Sequence, residues 1–143
     1  MEKLILSKLN LDPGYVVSAI NYDQNLDSFF IDIDYQLKAS PCPLCQSSSK
    51  IYDRISREWR HIDYQYSKVY ITFKNPRIKC EEHGVKLTDV NWAKPKHRFT
   101  IELEDLVCRQ AENKSFLQIA KELGEHDTRI RRVVQRSKDE KNN

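Results

Sequence analysis

Apolar and polar residues alternate with a period of two over Phe29-Phe30-Ile31-Asp32-Ile33-Asp34-Tyr35-Gln36-Leu37, the pattern of a half-buried strand. Tyr15 to Ile20 offers a partner, and the turn-rich Asn21 to Asp27, with Asp23, Asn25 and Asp27, closes an antiparallel hairpin. A second alternating run, rich in β-branched and aromatic residues, covers Ser67-Lys68-Val69-Tyr70-Ile71-Thr72-Phe73 after the stretch Ile51 to Ile62. Arg77-Ile78-Lys79 reads as a further short strand. From Thr100 the period changes. Ile101, Leu103, Leu106 and Val107, then Phe116, Leu117, Ile119, Ala120 and Leu123, recur at steps of three and four, which predicts helices. Thr100 caps the first, which ends near Asn113; Ser115 caps the second and Gly124 ends it; Asp127 caps a third that runs to about Ser137.

Between the predicted strands stand two short pairs of metal-binding side chains, Cys42-Pro43-Leu44-Cys45 and Cys80-Glu81-Glu82-His83, separated by 34 residues. A soft cation that takes four tetrahedral ligands is served by two tight turns, each offering side chains at i and i+3, so Cys42, Cys45, Cys80 and His83 read as a closed structural Zn2+ site. Strands feeding two such turns describe a zinc ribbon with a long insertion. Loop closure scales with the logarithm of length, so the insertion costs only about 0.6 kcal/mol more than a loop of half its length. Iron or a metal-free ribbon is the alternative at this site. His61, His97 and His126 compete for the fourth position but have no second ligand three residues away. Cys108, among apolar neighbours, reads as a structural thiol, and Trp59 and Trp92 as packing residues.

The last two helices have the composition of a helix-turn-helix. Ala120 permits close approach, Gly124 relieves the turn, and Ile119, Leu123, Ile130 and Val133 supply a shared core. Glu125 stands where an apolar residue usually packs, which predicts a wetter or longer turn. With Ile130, Val133 and Val134 inward, Arg129, Arg132 and Arg136 share the outer face. Thr128, Arg129 and Arg132 are placed to reach base edges, Arg136 and Lys138 to meet phosphates, and Arg131 to do either. Lys94, Lys96 and Arg98 form a basic linker before the helices, suited to a phosphate backbone or a minor groove.

Charge sharpens this division. Net charge is −3 over residues 1–38, +6 over 39–99 and zero over 100–143, within a total of +3. The ribbon segment is the basic one, and within the helical segment Arg129, Arg131, Arg132, Arg136 and Lys138 crowd together. The 143 residues hold one domain or two small modules, here an N-terminal β segment (1–38), a zinc ribbon with its basic linker (39–99) and a helix-turn-helix (100–143). No apolar run approaches a membrane span, and Met1 to Leu11 is charged where a signal peptide is apolar. A cytoplasmic protein is expected, and four cysteines in a reducing compartment point to metal rather than disulfides.

These residues carry a resemblance. Cys42-Pro43-Leu44-Cys45, Tyr52-Asp53-Arg54, Arg57-Glu58-Trp59-Arg60-His61-Ile62-Asp63, Pro76-Arg77-Ile78-Lys79-Cys80-Glu81-Glu82-His83-Gly84-Val85, Asn91-Trp92-Ala93-Lys94-Pro95 and Arg98-Phe99-Thr100 occur in the order found in bacterial insertion-sequence transposases. The chain resembles the N-terminal half of the ISL-three family from about Leu9 to Arg136. The resemblance implies a β segment, a zinc ribbon with His83 as fourth ligand, and a helix-turn-helix that recognises terminal inverted repeats. In the family this half precedes a catalytic domain with an Asp, Asp, Glu triad, for which no room remains before Asn143; no enzymatic activity and no catalytic residues are expected.

The fold expected is therefore α+β: an N-terminal β hairpin and zinc ribbon followed by a three-helix helix-turn-helix module. The function expected is sequence-specific binding of double-stranded DNA, an inverted repeat or an operator, in a bacterial or phage nucleoid, as a transposase-derived repressor. A homodimer on a two-fold symmetric site fits this reading, and no membrane partner does. The alternatives are a zinc-ribbon adaptor for another protein and an N-terminal fragment of a full transposase.

Overall fold

The structure, a computed structural model, describes residues 11–142; the first ten residues of the expected N-terminal segment, and Asn143, lie outside the described residues. Six strands and three helices follow in order: β1 (Tyr15–Asp23), β2 (Ser28–Tyr35), β3 (Ala39–Pro41), β4 (Ser48–Tyr64), β5 (Ser67–Cys80), β6 (Gly84–Leu87), α1 (Ile101–Gln110), α2 (Phe116–Leu123) and α3 (Asp127–Lys141).

The expected hairpin forms, with β1 and β2 in register from Tyr15 opposite Tyr35 to Asp23 opposite Ser28. Its turn is shorter than the sequence suggests because Asp23 Oδ1 accepts the N–H groups of Asn25 and Leu26 at 2.9 and 3.1 Å. The hairpin does not stand apart from the ribbon. β2 pairs in parallel with β5, which is antiparallel to β4, so the strand order is β1-β2-β5-β4-β3, with β6 on the far end of β5. Two further differences concern β5 and the loop before it. Arg77-Ile78-Lys79 is not a separate strand; β5 runs on through Pro76, whose carbonyl leaves the ladder to accept the Thr88 N–H (3.0 Å) and hydroxyl (2.9 Å). The β4–β5 turn places Gln65 and Tyr66 in the left-handed region (φ 49° and 69°), a two-residue primed turn built without glycine or asparagine.

Alternation on β2, β4 and β5 puts Ile31, Ile33, Tyr35, Trp59, Val69, Ile71 and Phe73 on one face. The segment after β6 closes that face with Trp92 and Ala93. Trp92 stands edge-on to Trp59 (5.4 Å), Phe73 (5.2 Å) and Tyr15 (5.6 Å), so both tryptophans are core residues. Buried Asn75 donates to Thr88 Oγ1 (2.9 Å) and accepts from Arg57 (2.8 Å), fixing the start of the linker as Trp92 fixes its middle.

Phe99, Leu103, Val107, Ile119, Ala120, Leu123, Ile130, Val133 and Val134 form a second core among the helices, with Ile62 of β4 packed against it. Thr100 caps α1 by accepting from the Leu103 N–H at 3.3 Å, and Ser115 caps α2 by accepting from Gln118 at 3.1 Å, as expected. Gly124 ends α2 in the left-handed conformation (φ 67°). The boundaries of α1 and α3 differ. α1 ends at Gln110 and tightens into turns to Asn113, while α3 has His126 at its N-cap with no side-chain cap bond, and Asp127 is its first residue. α3 also continues to Lys141 because Gln135 bonds Asp139 (3.2 Å) and Lys94 pairs with Glu140 (2.6 Å).

Candidate metal centre and nucleic-acid interface

The two ligand pairs lie at neighbouring strand ends. Cys42 and Cys45 occupy the turn between β3 and β4, where Cys42 donates its N–H to Ser47 O (2.9 Å) and accepts from Gln46 N–H (2.8 Å). Cys80 ends β5 and His83 precedes Gly84, whose φ of 73° returns the chain into β6. The ladder between β4 and β5 brings the turns together, and the four ligand atoms of Cys42, Cys45, Cys80 and His83 lie within 4.8 Å of one another.

Those separations fit one tetrahedral ion. Cys45 and Cys80 sulfurs are 3.6 Å apart, and His83 Nδ1 is 3.7 Å from Cys42 Sγ and 3.6 Å from Cys80 Sγ. With Zn–S of about 2.3 Å and Zn–N of about 2.0 Å, tetrahedral angles require about 3.8 Å between sulfurs and about 3.5 Å from sulfur to nitrogen. Backbone N–H groups of His83 and Glu82, then the His83 ring, hold the Cys80 thiol down at about 6. The Ser47 hydroxyl and N–H lower Cys45, while Cys80 and Cys45 raise His83. The cysteine shifts favour the thiolates a metal needs, whereas His83 must give up its proton to become a ligand. A zinc ion bound here supplies a cross-link between the two strand ends. Two of the competing histidines are engaged elsewhere, His61 Nδ1 with Thr100 Oγ1 at 2.8 Å in the buried junction and His97 with Glu104 at 3.1 Å, while His126 sits exposed at the N-cap of α3, outside the ligand cluster.

Arg60 of β4 makes several of the polar contacts that tie the helical module to the sheet. The Arg60 backbone donates to Arg98 O and accepts from Thr100 N–H, both at 2.9 Å. Its guanidinium, 3% exposed, binds Asp63 and donates to Glu125 Oε1 at 2.9 Å. Glu125 Oε2 accepts from Arg129 at 3.0 Å, and Lys68 Nζ donates to Gly124 O at 3.1 Å. The turn at Glu125 is thus neither wet nor long. Its three residues, Gly124 to His126, are gripped by two cations of the sheet.

The candidate DNA-contacting residues separate into three sets. Lys96, Arg98, Arg129, Arg132 and Arg136, with Phe99 and Val133, line one groove of about 370 Å3 beside α3. Lys94-Pro95-Lys96-His97 makes a tight turn, with His97 N–H on Lys94 O (3.1 Å) and Lys96 at φ 67°, which sets Lys96 at its tip. Arg129 and Arg136 are held by carboxylates, the second by Glu104 at 3.3 Å, whereas Lys96, Arg98 and Arg132 have no side-chain partner among the described residues. Thr128 and Lys138 are exposed on α3 outside that groove. Lys94, tied to Glu140, and Arg131, folded over the Phe116 ring at 5.9 Å, point elsewhere. Glu104, Glu125 and Lys68 were not among the residues the sequence singles out for the interface, and no local pattern marks them, because each acts across elements.

Residues 38–83 match the zinc-finger of transposase IS204/IS1001/IS1096/IS1165, and residues 88–137 match the helix-turn-helix domain of transposase family ISL3. The chain carries the zinc ribbon and the helix-turn-helix of ISL3 transposases. It is also similar to the transposase for insertion sequence element IS1557 of Mycobacterium tuberculosis, strains CDC 1551 and H37Rv, at 31% identity over 69 residues. That match takes in 47% of this chain and 16% of the length of those curated relatives. No solved structure matches the chain. The helix-turn-helix match begins at Thr88, the residue that anchors the linker on β5. Both matched domains are transposase DNA-binding modules, and no helix among the described residues is long and apolar enough to cross a membrane.

Proposed function

We propose that the chain recognises a specific sequence in double-stranded DNA, the terminal inverted repeat of an insertion element or an operator derived from one. The observation that carries this is the groove in which Lys96 and Arg98 from the linker face Arg129, Arg132 and Arg136 from α3. In this reading α3 enters the major groove, Thr128, Arg129 and Arg132 meet base edges, and Arg136, Lys138, Lys96 and Arg98 meet phosphates. Arg131 and Lys94, each engaged within the fold, are left with supporting positions near the backbone. The zinc ribbon holds the sheet that mounts the module, and no catalytic step is assigned to these residues. As a binding unit of this kind the chain serves end recognition in transposition, or repression where it occupies a promoter, with two copies on a symmetric site.

Selection of bound duplexes from a random-sequence library, followed by gel shift, tests the reading. Enrichment of one motif, with a two-fold repeat if two copies bind, is the expected result. A library that emerges unenriched would overturn sequence-specific recognition.

A further inference from the structure

The groove beside α3 does not end at the helical module. A second cavity of about 350 Å3 lies between the sheet and the turn before α3, lined by Glu58, Lys68, Tyr70, Arg98, His126 and Arg129 among others. Arg98, Phe99 and Arg129 line both cavities, so the two adjoin along these residues, leading from α3 onto the outer face of β4 and β5. Arg60 and Glu125, which also line the second cavity, are paired with each other and add no net charge. What remains is cationic. Lys68 spends one of its three N–H donors on Gly124 O, and Arg129 spends Nη1 on Glu125, so both keep donors to offer. Glu58 is the one unpaired carboxylate lining this cavity among the described residues.

We propose that this sheet-side cleft seats the phosphodiester backbone of the same duplex that α3 reads, with Lys68, Arg98 and His126 as its donors. The proposal rests on the DNA-binding reading above and extends the footprint from the helical module onto the ribbon's sheet. A backbone leaving the groove at the N-terminal end of α3 passes Arg129 and Arg98 and reaches Lys68, since these residues are shared along the cleft. A small anion has no enclosed place there, whereas a row of phosphates matches donors strung along two adjoining cavities. Glu58 opposes the same backbone and weakens it.

The zinc-loaded full chain, titrated by fluorescence anisotropy against a 30-base-pair random-sequence duplex from about 50 to 200 mM KCl, tests the cleft. Lys68→Gln is expected to make the log K against log[salt] slope shallower by about 0.9, and Glu58→Lys to make it steeper by a similar amount. The Glu58 side chain has no partner among the described residues, so its substitution separates charge from folding. Either variant keeping the wild-type slope, while Lys96→Ala in the groove beside α3 loses slope, overturns the cleft and leaves the DNA-binding reading intact. Wild-type binding that is absent or indifferent to salt overturns both.

Discussion

Replacing Glu125 by alanine removes the carboxylate that joins the turn of the helical module to the sheet. Two interactions are lost. The bond to Arg129, whose side chain is 42% exposed, resembles a surface ion pair of about 0.2–1 kcal/mol. The bond to Arg60, 3% exposed, is a charged hydrogen bond in a buried site, typically about 1.5–3 kcal/mol. Asp63 still binds Arg60, so the full penalty of about 3–5 kcal/mol for an orphaned buried charge does not apply. The sum is about 2–4 kcal/mol, which at a urea m-value near 2 kcal/mol/M lowers the midpoint by about 1–2 M. Urea titration of the zinc-loaded chain, followed by tryptophan fluorescence for the sheet core and by far-ultraviolet circular dichroism for the helices, measures it. Trp59 and Trp92 both report on the sheet, so the helical signal is expected to fall first in the variant. The double variant Arg60→Met, Glu125→Leu should recover most of the loss, because it removes both buried charges together. A Glu125→Ala midpoint within about 0.2 M of wild type would refute the claim that this pair mounts the module.

Two further outcomes follow from the geometry. Cys80→Ser is expected to abolish retention of one zinc per chain in native mass spectrometry and to expose the β4–β5 end to protease, since zinc binding and ribbon folding are one equilibrium; a metal-free variant as resistant as wild type would contradict the site. Gly124→Ala places a Cβ 2.9 Å from Lys68 Cε at a φ of 67°, and thermal melting should show a loss of about 1–2 kcal/mol; an unchanged melting point would refute the strain.

What was legible in the chain was local. Thr100, Ser115 and Gly124 act on N–H and C=O groups within four residues, so their capping roles follow from sequence alone, as do the alternating faces of β2 and β5. The two ligand pairs are local in the same sense, each a turn with side chains at i and i+3. What was not legible depends on pairing across the chain. Nothing near Ile31 shows that its strand joins Ile71 in parallel, and Pro76 argues for a break until its carbonyl is found accepting from the N–H and hydroxyl of Thr88. Glu125 reads as a misfit until Arg60, 65 residues away, is found against it. The charged end of α3 reads as a tail because Lys94, its partner, lies before the first helix.

The central claim is that α3 reads bases from a basic groove completed by the linker. Anisotropy titration of Arg129→Ala and Arg132→Ala against the duplex selected from a random library, and against a scrambled duplex of equal length, tests it directly. The account predicts a loss of about 1–3 kcal/mol on the selected site for at least one variant and a much smaller loss on the scrambled one. Equal losses on both duplexes, or none on either, would contradict base reading by this helix.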